Sequence, residues 1–438
     1  MPRTTKADLE AERLLWRAGF GPAPGEAKRL GRLGRRRAVE QLLAPKGRAL
    51  GGRPARIDGG PLDPVNAYGH DVLWWLDRAA RTRHPLAERM TLNWHDHFAT
   101  SNEKVGDVKL MMRQYWLLRN YGLGSFRALT KRILRDGAMQ MFLDLAGSEK
   151  GSPNENFARE LFELFTLGVN NGYTERDIRE AARALTGFTF DYDTKRFGFD
   201  PDRHDRGVKR VFGKRGRFTP EDIIDLAINH PKHAPYLCEK LWHYFTPLPV
   251  PPRTLKQMVS TYRRSGTEIR PVLRIILTHP SLYADLTSPH QVKPPVVYAA
   301  GMLRRTNTRI ADESWIHLLD EMGQRPFHPP NVAGWDQDDA WLTPATISAR
   351  FDAASMLVQK RVKDGSISAS QSPQRAIAAA RKATGDPQIS KRTALAMQRY
   401  AVASVKGRTD DWEVKHYFPE RQRVLRHVLL AGPDAQVC

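Results

Sequence analysis

Residues 152–168 read SPNENFARELFELFTLG, and this stretch indicates the fold class. Ser152 and Glu155 have the spacing of a capping box, and Pro153 suits the first helical position. Gly168 stands where a helix C-terminus commonly has glycine. The apolar residues between these ends recur at i, i+4, i+7 and i+8, which predicts one buried stripe of Phe157, Leu161, Leu164 and Phe165. We therefore predict an amphipathic helix packed on a core.

Most of the remaining chain has the same helical periodicity. Apolar residues at helical spacing predict helices within 6–20, 66–80, 85–98, 125–145 and 174–187. Ser125 and Thr174 are the expected N-caps of the last two. Short aromatic runs broken by Gly and Pro near 188–217 are typical of a hairpin or an ordered loop. The predicted fold class is mainly α, a large multi-helix domain with a small β-hairpin or ordered-loop insertion near 188–217.

The composition changes near residue 361, where a polar run rich in Ser and Gln begins. We expect residues 1–360 to form the large helical domain. Residues 361–438 are expected to form a polar loop and a basic helical tail, either packed on that domain or appended to it.

Size and composition exclude several classes of protein. Hydrophobic residues make up 41% and charged residues 27% of the 438 residues, which is typical of a globular chain rather than a disordered one. Two cysteines, Cys238 and Cys438, are too few for a disulfide framework or a multi-cysteine zinc site. No run reaches the ~18 apolar residues that cross a bilayer. The start, MPRTTKADLE, has no apolar signal segment, so we expect a cytoplasmic protein, unless a partner exports it as a passenger.

The chain is strongly basic, with 69 Lys and Arg against 48 Asp and Glu and a formal net charge of +21. A basic surface of this size attracts nucleic acid, anionic glycan or acidic protein. Alternatively, the Arg residues, densest in RLGRLGRRR at 29–37, reflect a genome rich in G and C and are solvated surface. No recognised nucleic-acid-binding motif accompanies the charge, so the composition leaves both interpretations open.

The first candidate site is WHDHF at 94–98. On an α-helix, residues two apart point about 200° apart, so helical His95 and His97 cannot bind one ion. On an extended backbone the same two side chains share a face and could do so. The simpler alternative is one core histidine and one surface histidine at a helix end.

The second candidate site is the pair Glu160 and Glu163, whose i, i+3 spacing puts both carboxylates on one side of a helix. That side adjoins the buried stripe, where an unpartnered carboxylate is costly. Arg159 points elsewhere, so the partner would be an Arg from another helix or a metal ion with a histidine.

Two glycine-containing turns complete the candidates. In HDRGVKRVFG, His204 and Asp205 lie beside Lys209. A histidine next to a carboxylate on a rigid turn is either a ligand or a general base, and the alternative is a capping Asp with a surface His. In PFHPPNVAGW, consecutive prolines and Trp335 predict a stiff loop that either plugs a core or lines a pocket.

Together these stretches resemble the bacterial DUF1800 family, a set of large proteins of unknown function. The resemblance is carried, in the family's order, by RLLWRAGFGPAPGE, LNWHDHFATS, FRALTKRILRDGAM, PNENFARELFELFTLGVNNGYTERDIREAARALTGF, HDRGVKRVFG and MGQRPFHPPNVAGW. It runs from about residue 12 to about residue 341–350 and covers the basic tail less well.

The resemblance implies no reaction. It implies that relatives are often exported and encoded beside a sulfatase-like, twin-arginine-exported family, which makes such a protein an expected partner. The bare N-terminus of this chain departs from that pattern. The family's signature positions fall on polar residues of the blocks quoted above, which implies a shared site.

These observations support an enzyme or metal-binding protein as the first hypothesis. The predicted catalytic residues are His95, His97, Glu160, Glu163, His204 and Asp205. The predicted binding residues are Asn154, Glu155, Arg159, Lys209 and Trp335. A divalent metal would be held by His95, His97, Glu160 and His204. The alternative hypotheses are a cationic helical binding or assembly protein with an anionic partner, and polar blocks that only stabilise the fold.

Overall fold

The computed structural model describes residues 5–191, 194, 196–363 and 365–438, and it divides into two compact units. Unit 1 combines the described residues of Met1–Pro85, Pro280–Pro326 and Asp336–Cys438. Unit 2 combines Leu86–His279 and Phe327–Trp335.

The chain begins with elements of unit 1, which are α1 (Lys6–Arg17), α2 (Glu26–Gly31), α3 (Arg35–Leu43), β1 (Arg56–Ile57), β2 (Gly60–Pro61) and α4 (His70–Arg81). The elements that build unit 2 follow: α5 (Pro85–His97), α6 (Asn102–Val105), α7 (Val108–Tyr121), α8 (Phe126–Leu134), α9 (Gly137–Phe142), α10 (Asn156–Glu160), a π-helix (Leu161–Thr166), α11 (Glu175–Ala184), β3 (Phe188–Asp191), β4 (Arg196–Phe199), β5 (Lys209–Val211), β6 (Lys214–Gly216), α12 (Pro220–Asn229), α13 (His233–Phe245), α14 (Pro252–Arg264) and α15 (Ile269–Thr278). The chain then returns to unit 1 with a 3₁₀ helix (Pro280–Tyr283), α16 (Pro295–Thr306), α17 (Ser314–Glu321), a second 3₁₀ helix (Asp338–Leu342), α18 (Pro344–Gln359), α19 (Pro373–Ala383), α20 (Lys391–Ala403), α21 (Asp411–Ala431) and α22 (Pro433–Gln436).

The predicted mainly α class is confirmed, and the insertion near 188–217 forms two antiparallel hairpins. Strands β3 and β4 pair with Phe188 opposite Phe199, and β5 pairs with β6 with Lys209 opposite Gly216. Tyr192, Asp193 and Lys195, which belong to the predicted insertion, lie outside the described residues. Within the described part of the chain, no helix has the length and apolar character needed to span a bilayer.

Helix α16 of unit 1 is buried along its whole length. It packs on α4, and its Gly301 leaves room for Trp16 of α1. A Cβ atom at Gly301 would lie 2.4 Å from the indole ring of Trp16, so only glycine fits there.

The helices after residue 361 pack on one another around small side chains. This cluster consists of Ala376, Ala380, Met397, Ala401, Leu425 and Leu429. Helix α21 also contacts α18. The boundary at residue 360 stays a prediction, and Asp364 beside it lies outside the described residues.

Two predicted helix starts in unit 2 are confirmed, and one is wrong. The Ser125 hydroxyl accepts a bond from the Ala128 amide, and Thr174 forms a capping box with Asp177. Helix α10, however, begins at Asn156 without a capping box from Ser152. The backbone of Ser152 exchanges hydrogen bonds with Glu149 in a turn. The Asn154 side chain instead accepts from the Asn156 amide, at 2.8 Å.

Candidate functional site

His95 and His97 lie in the last turn of α5, so the backbone is helical where the two histidines stand. His95 is 1% exposed, and its ring centroid lies 5.4 Å from Trp335 and 5.8 Å from Phe327. Burial lowers the pKa of His95 to about 3, so its imidazole is neutral at pH 7.

His97 points to different neighbours, as helical geometry requires of residues two apart. Its Nε2 atom lies 3.1 Å from the main-chain oxygen of Phe165, to which it donates. The rings of Trp94, Phe98 and Phe126 surround it. Burial lowers the pKa of His97 well below its usual value. The bond to a carbonyl therefore comes from a neutral imidazole.

The π-helix explains why His97 makes that bond. A helix C-terminus leaves carbonyl groups without a partner inside the helix, and buried carbonyls need donors from elsewhere. Three consecutive carbonyls at this end, those of Leu164, Phe165 and Thr166, accept from side chains of other elements. The donors are Tyr236 to Leu164 at 2.8 Å, His97 to Phe165 at 3.1 Å and His233 to Thr166 at 2.9 Å. The carbonyls at the end of this π-helix therefore receive their hydrogen bonds from side chains of other elements.

His233 was not predicted as a site residue, yet it is fully buried and bonded through both ring nitrogens. Nδ1 donates to Thr166, and Nε2 lies 2.8 Å from the Tyr262 hydroxyl, which donates to it. Burial lowers the pKa of His233 to about 4. Its role is visible only when residues 67 positions apart are brought together.

Arg159 organises the acidic residues around α10. Its guanidinium binds both carboxylate oxygens of Glu175 at 2.9 Å and lies 3.3 Å from Glu155 and 3.4 Å from Glu163. Glu160 has no hydrogen bond or ion pair within the described residues. Burial raises the pKa of the Glu160 carboxyl, and the charge of Glu163 raises it further. The expectation that Arg159 points elsewhere is therefore wrong for Glu163, with which it forms an ion pair, whereas Glu160 is not paired within the described residues.

The predicted turn at His204 is held by bonds to its own neighbourhood. His204 Nδ1 donates to the main-chain oxygen of Thr186 at 2.9 Å, and Asp205 accepts from Arg183 Nε at 2.8 Å. Although burial alone would raise the pKa of Asp205, the bonds from Arg183 and the Gly207 amide lower it. Lys209 is 1% exposed and donates to the carbonyls of Asp205, Gly207 and Phe218.

The loop PPNVAGW packs directly on WHDHF. The Trp335 amide donates to Asp96 Oδ1 at 2.8 Å, and the Trp335 ring faces His95. Gly334 has a φ of +94°, and a Cβ atom there would lie 2.3 Å from Asp96 Oδ1. This close approach explains why glycine stands before the tryptophan. Asn154, the remaining predicted binding residue, donates to the main-chain oxygen of Asp144 at 3.1 Å.

Within the described ranges, no group of three or more His, Cys, Asp or Glu side chains is placed to hold a metal ion. The predicted metal ligands His95, His97, Glu160 and His204 are therefore not assembled into one group. The two helical histidines point to different neighbours, and His97 and His204 each bond a main-chain carbonyl. The catalytic and binding roles of the predicted residues stay predictions.

Unit 1 contains a different candidate, a groove of about 600 Å³ that we call the basic groove. Its basic lining residues are Arg29, Lys46, Arg53, Arg81, Arg83, Arg304 and Arg309, and its one acidic lining residue is Glu26. Arg304 forms part of the lining from within the fold and donates to the main-chain oxygens of Gly21, Ala80 and Thr82 and to Glu26.

One side of the groove is fixed by backbone pairing between 49–51 and 81–83. The Gly51 amide donates to Arg81 at 3.0 Å, and the Arg83 amide donates to Ala49 at 2.7 Å. A Cβ atom at Gly51 would lie 2.6 Å from Arg83 Nε, so glycine leaves room for that guanidinium. Arg81 is paired with Asp77 at 2.5 Å.

The remaining cations of the basic groove are exposed to solvent. Arg29 lies 3.8 Å from Glu26, whose other oxygen is bonded to Arg304. Lys46, Arg53, Arg83 and Arg309 are exposed and have no ion pair among the residues that the structure describes. Of the dense run 29–37, only Arg29 lines the groove. The groove could not be predicted from the sequence, because its cations come from four separated segments.

Comparison with known proteins identifies the family of this chain but no activity. A family model described as "Protein of unknown function (DUF1800)" matches residues 13–437. The match extends beyond the stretches that carry the resemblance and includes the helices after residue 361. No curated protein and no solved structure matches the chain.

Proposed function

Because the chain belongs to the DUF1800 family, whose description names no activity, we propose from its own geometry that it binds an anionic polymer in the basic groove. The observation that supports this proposal is the set of four exposed groove cations, Lys46, Arg53, Arg83 and Arg309, that have no ion pair within the described residues.

The acidic residues in and beside the groove favour ligand binding over a merely solvated surface, because they are already paired. Glu26 and Asp77 are already engaged by Arg304 and Arg81, so neither neutralises the four exposed cations. Like charges that converge on one concave surface focus a positive potential, which raises the local concentration of anions. The net charge of +21 acts in the same direction.

The chemistry of the groove favours phosphate or sulfate groups on a chain. Arginine presents a planar fork of donors that matches such oxyanions in a bidentate manner. Cations from four segments across about 600 Å³ offer several contacts rather than one. A polymer that presents several anionic groups would use them together.

The proposal predicts a definite salt dependence. With Arg29 added to the four unpaired cations, the groove offers five contacts. For a single-stranded nucleic acid the logarithmic salt slope is about −0.7 per contact, or about −3.5 in total. Affinity should therefore fall about a hundredfold between about 50 mM and about 200 mM salt.

The test is fluorescence anisotropy with a labelled single-stranded oligonucleotide, and separately with a sulfated polysaccharide, at several salt concentrations. Arg83→Gln/Arg309→Gln should reduce the slope to about −2.1. The matched control is Arg215→Gln/Arg217→Gln, which removes the same charge from exposed positions in unit 2. Equal weakening in both variants would show that binding follows net charge alone and would contradict the groove. The probe that binds more tightly identifies the anionic group.

An enzyme remains the second candidate, and the observation that favours it is the inequality of Glu160 and Glu163. General acid–base pairs are commonly two carboxyl groups whose environments separate their pKa values. Burial raises the pKa of Glu160, while Arg159 lies 3.4 Å from Glu163. A panel of ester, amide and glycoside substrates tests this candidate. Turnover that is absent, or unchanged by Glu160→Gln, would contradict it.

A further inference from the structure

Unit 1 holds a second cavity that is separate in composition from the basic groove. It has a volume of about 630 Å³, which lies within the range of small-molecule sites. Trp16, Leu286 and Ile389 contribute apolar surface. The charged lining residues are Glu12, Arg13, Lys293, Arg305, Lys391, Arg392 and Asp434. Apolar surface combined with polar groups that can orient a ligand is typical of a ligand site.

Lys293 is the unusual member of this lining. It is only 3% exposed, and its Nζ atom donates to the main-chain oxygen of Ala435 at 2.6 Å. Nζ also lies 4.1 Å from the centroid of the Trp16 ring. Burial lowers the pKa of Lys293 to about 7. Burial therefore favours the uncharged amine of Lys293, which is the nucleophilic form of a lysine.

Arg305 and Glu12 stand in the same lining. Arg305 is paired with Glu12 through Nη2 and lies over the Trp16 ring at 5.2 Å. Its Nε atom is buried and makes no hydrogen bond within the described residues. A guanidinium has five N–H donors, so Arg305 retains donors for a carboxylate. The cavity thus combines an amine, an anion-binding group and a carboxylate.

We propose that this cavity takes a small oxo acid, whose carboxylate binds Arg305 and whose carbonyl carbon condenses with the Lys293 amine. The nitrogen lone pair attacks the carbonyl carbon to form a C–N bond. The carbonyl oxygen gains protons and leaves as water, and the amine nitrogen loses two protons as the imine forms. Glu12 stands in the lining to relay these protons. No oxidant or reductant is needed for this step.

Reductive trapping of the wild-type protein tests the proposal. The protein is incubated at pH 7 with glyoxylate, an aldehyde acid, and with cyanoborohydride, which reduces the imine to a stable secondary amine. Peptide mapping by mass spectrometry then compares Lys293 with Lys406, an exposed lysine of unit 1. Because burial lowers the pKa of Lys293, its free-amine fraction at pH 7 exceeds that of an ordinary lysine. The lower nucleophilicity of a weaker base and the restricted access reduce this advantage, so we expect at least about tenfold more adduct on Lys293.

The pH profile provides a second readout. Between about pH 7 and about pH 9, trapping on Lys293 should rise much less than trapping on an ordinary lysine, because burial lowers the pKa of Lys293 and leaves more of its amine free at pH 7. Trapping on an ordinary lysine should rise about a hundredfold. Adduct on Lys406 without adduct on Lys293 at pH 7, or parallel profiles for the two, would overturn the proposal.

A variant that closes the cavity keeps the test independent of Lys293 itself. Ser288 is an exposed lining residue, so Ser288→Trp places a bulky ring at the cavity without removing a core contact. Trapping on Lys293 should fall at least about tenfold and trapping on Lys406 should stay unchanged. Unchanged trapping on Lys293 in a folded Ser288→Trp protein would count against binding in this cavity. Glycolate has the carboxylate of glyoxylate but a hydroxyl group in place of the aldehyde, so it should leave no adduct.

Discussion

Replacing His233 with phenylalanine should destabilise the end of the π-helix by several kcal/mol. Phenylalanine keeps a planar ring in the position that packs on Phe126, at a centroid distance of 5.4 Å. It removes both hydrogen bonds of the imidazole, so the Thr166 carbonyl and the Tyr262 hydroxyl lose a buried partner. Each unsatisfied buried group costs about 1–3 kcal/mol, and the two together cost about 2–6 kcal/mol.

The same substitution should change how stability depends on pH. Burial lowers the pKa of His233 to about 4, from an ordinary value of about 6.5. Between these values the unfolded chain binds a proton at this residue and the folded chain does not. The stability that neutral His233 contributes is therefore complete above about pH 6.5 and is lost as the pH falls towards 4. The loss amounts to about 2 kcal/mol at pH 5 and about 3 kcal/mol at pH 4.

Phenylalanine does not titrate, so the gap in stability between wild type and variant should narrow by about 2 kcal/mol from pH 7 to pH 5. Native-state hydrogen exchange on peptides that cover 157–168 measures this gap locally. This readout is preferable to a single unfolding curve, because a chain of two units need not unfold in one step.

His243→Phe is the matched control, since His243 lies in the same helix α13 but is exposed. It should leave exchange over 157–168 unchanged. Exchange in His233→Phe that equals wild type within about 0.5 kcal/mol would refute the structural role of the bonds. A gap that stays constant between pH 7 and pH 5 would refute the assignment of a neutral imidazole.

Three further substitutions test other contacts. Gly334→Ala should lower the melting temperature, because φ is +94° and the new Cβ would lie 2.3 Å from Asp96 Oδ1. Backbone strain alone costs about 1–3 kcal/mol. An unchanged melting temperature would contradict the close approach. Lys209→Met should speed proteolysis of the surrounding turn, because three carbonyls lose the buried ammonium that they share. Glu160→Gln should raise the melting temperature at pH 7, because burial raises the pKa of this carboxyl and thereby disfavours its charged form; a decrease would indicate an unrecognised partner.

The helices of unit 2 could be predicted where local sequence and tertiary packing agree. Helix α11 is an example, because Thr174 and Asp177 cap it locally and its apolar face is buried. The start of α10 could not be predicted in the same way. Ser152 and Glu155 have capping-box spacing, but the turn with Glu149 competes for Ser152, and Asn154 satisfies the Asn156 amide. The spacing of the apolar residues did not predict the π-helix either, because these residues also fit the stripe of an α-helix.

The candidate site was harder to predict for a different reason. His97 was identified as a polar residue in an aromatic segment, but its partner is the carbonyl of a residue 68 positions away. Because His95 and His97 are two residues apart on a helix, they do not share one ion. This spacing does not identify the partner of each histidine. The basic groove has the same difficulty, because Lys46, Arg83 and Arg309 are unremarkable in their local sequence.

The bonded polar residues lie in unit 2 and the exposed cations of the basic groove lie in unit 1. We therefore expect substitutions in unit 2 to affect stability and substitutions in the groove to affect binding. The stretches that carry the family resemblance in unit 2 contain His97, His204 and Lys209, each of which bonds a main-chain carbonyl. The side chains of these three residues are therefore held by main-chain carbonyls of their own unit. The unpaired cations lie in unit 1. His233→Phe should therefore lower stability while folded protein still binds the polyanion, whereas Arg83→Gln/Arg309→Gln should weaken binding without changing exchange over 157–168. Loss of polyanion binding in folded His233→Phe would place the binding site in unit 2 and contradict the proposed groove.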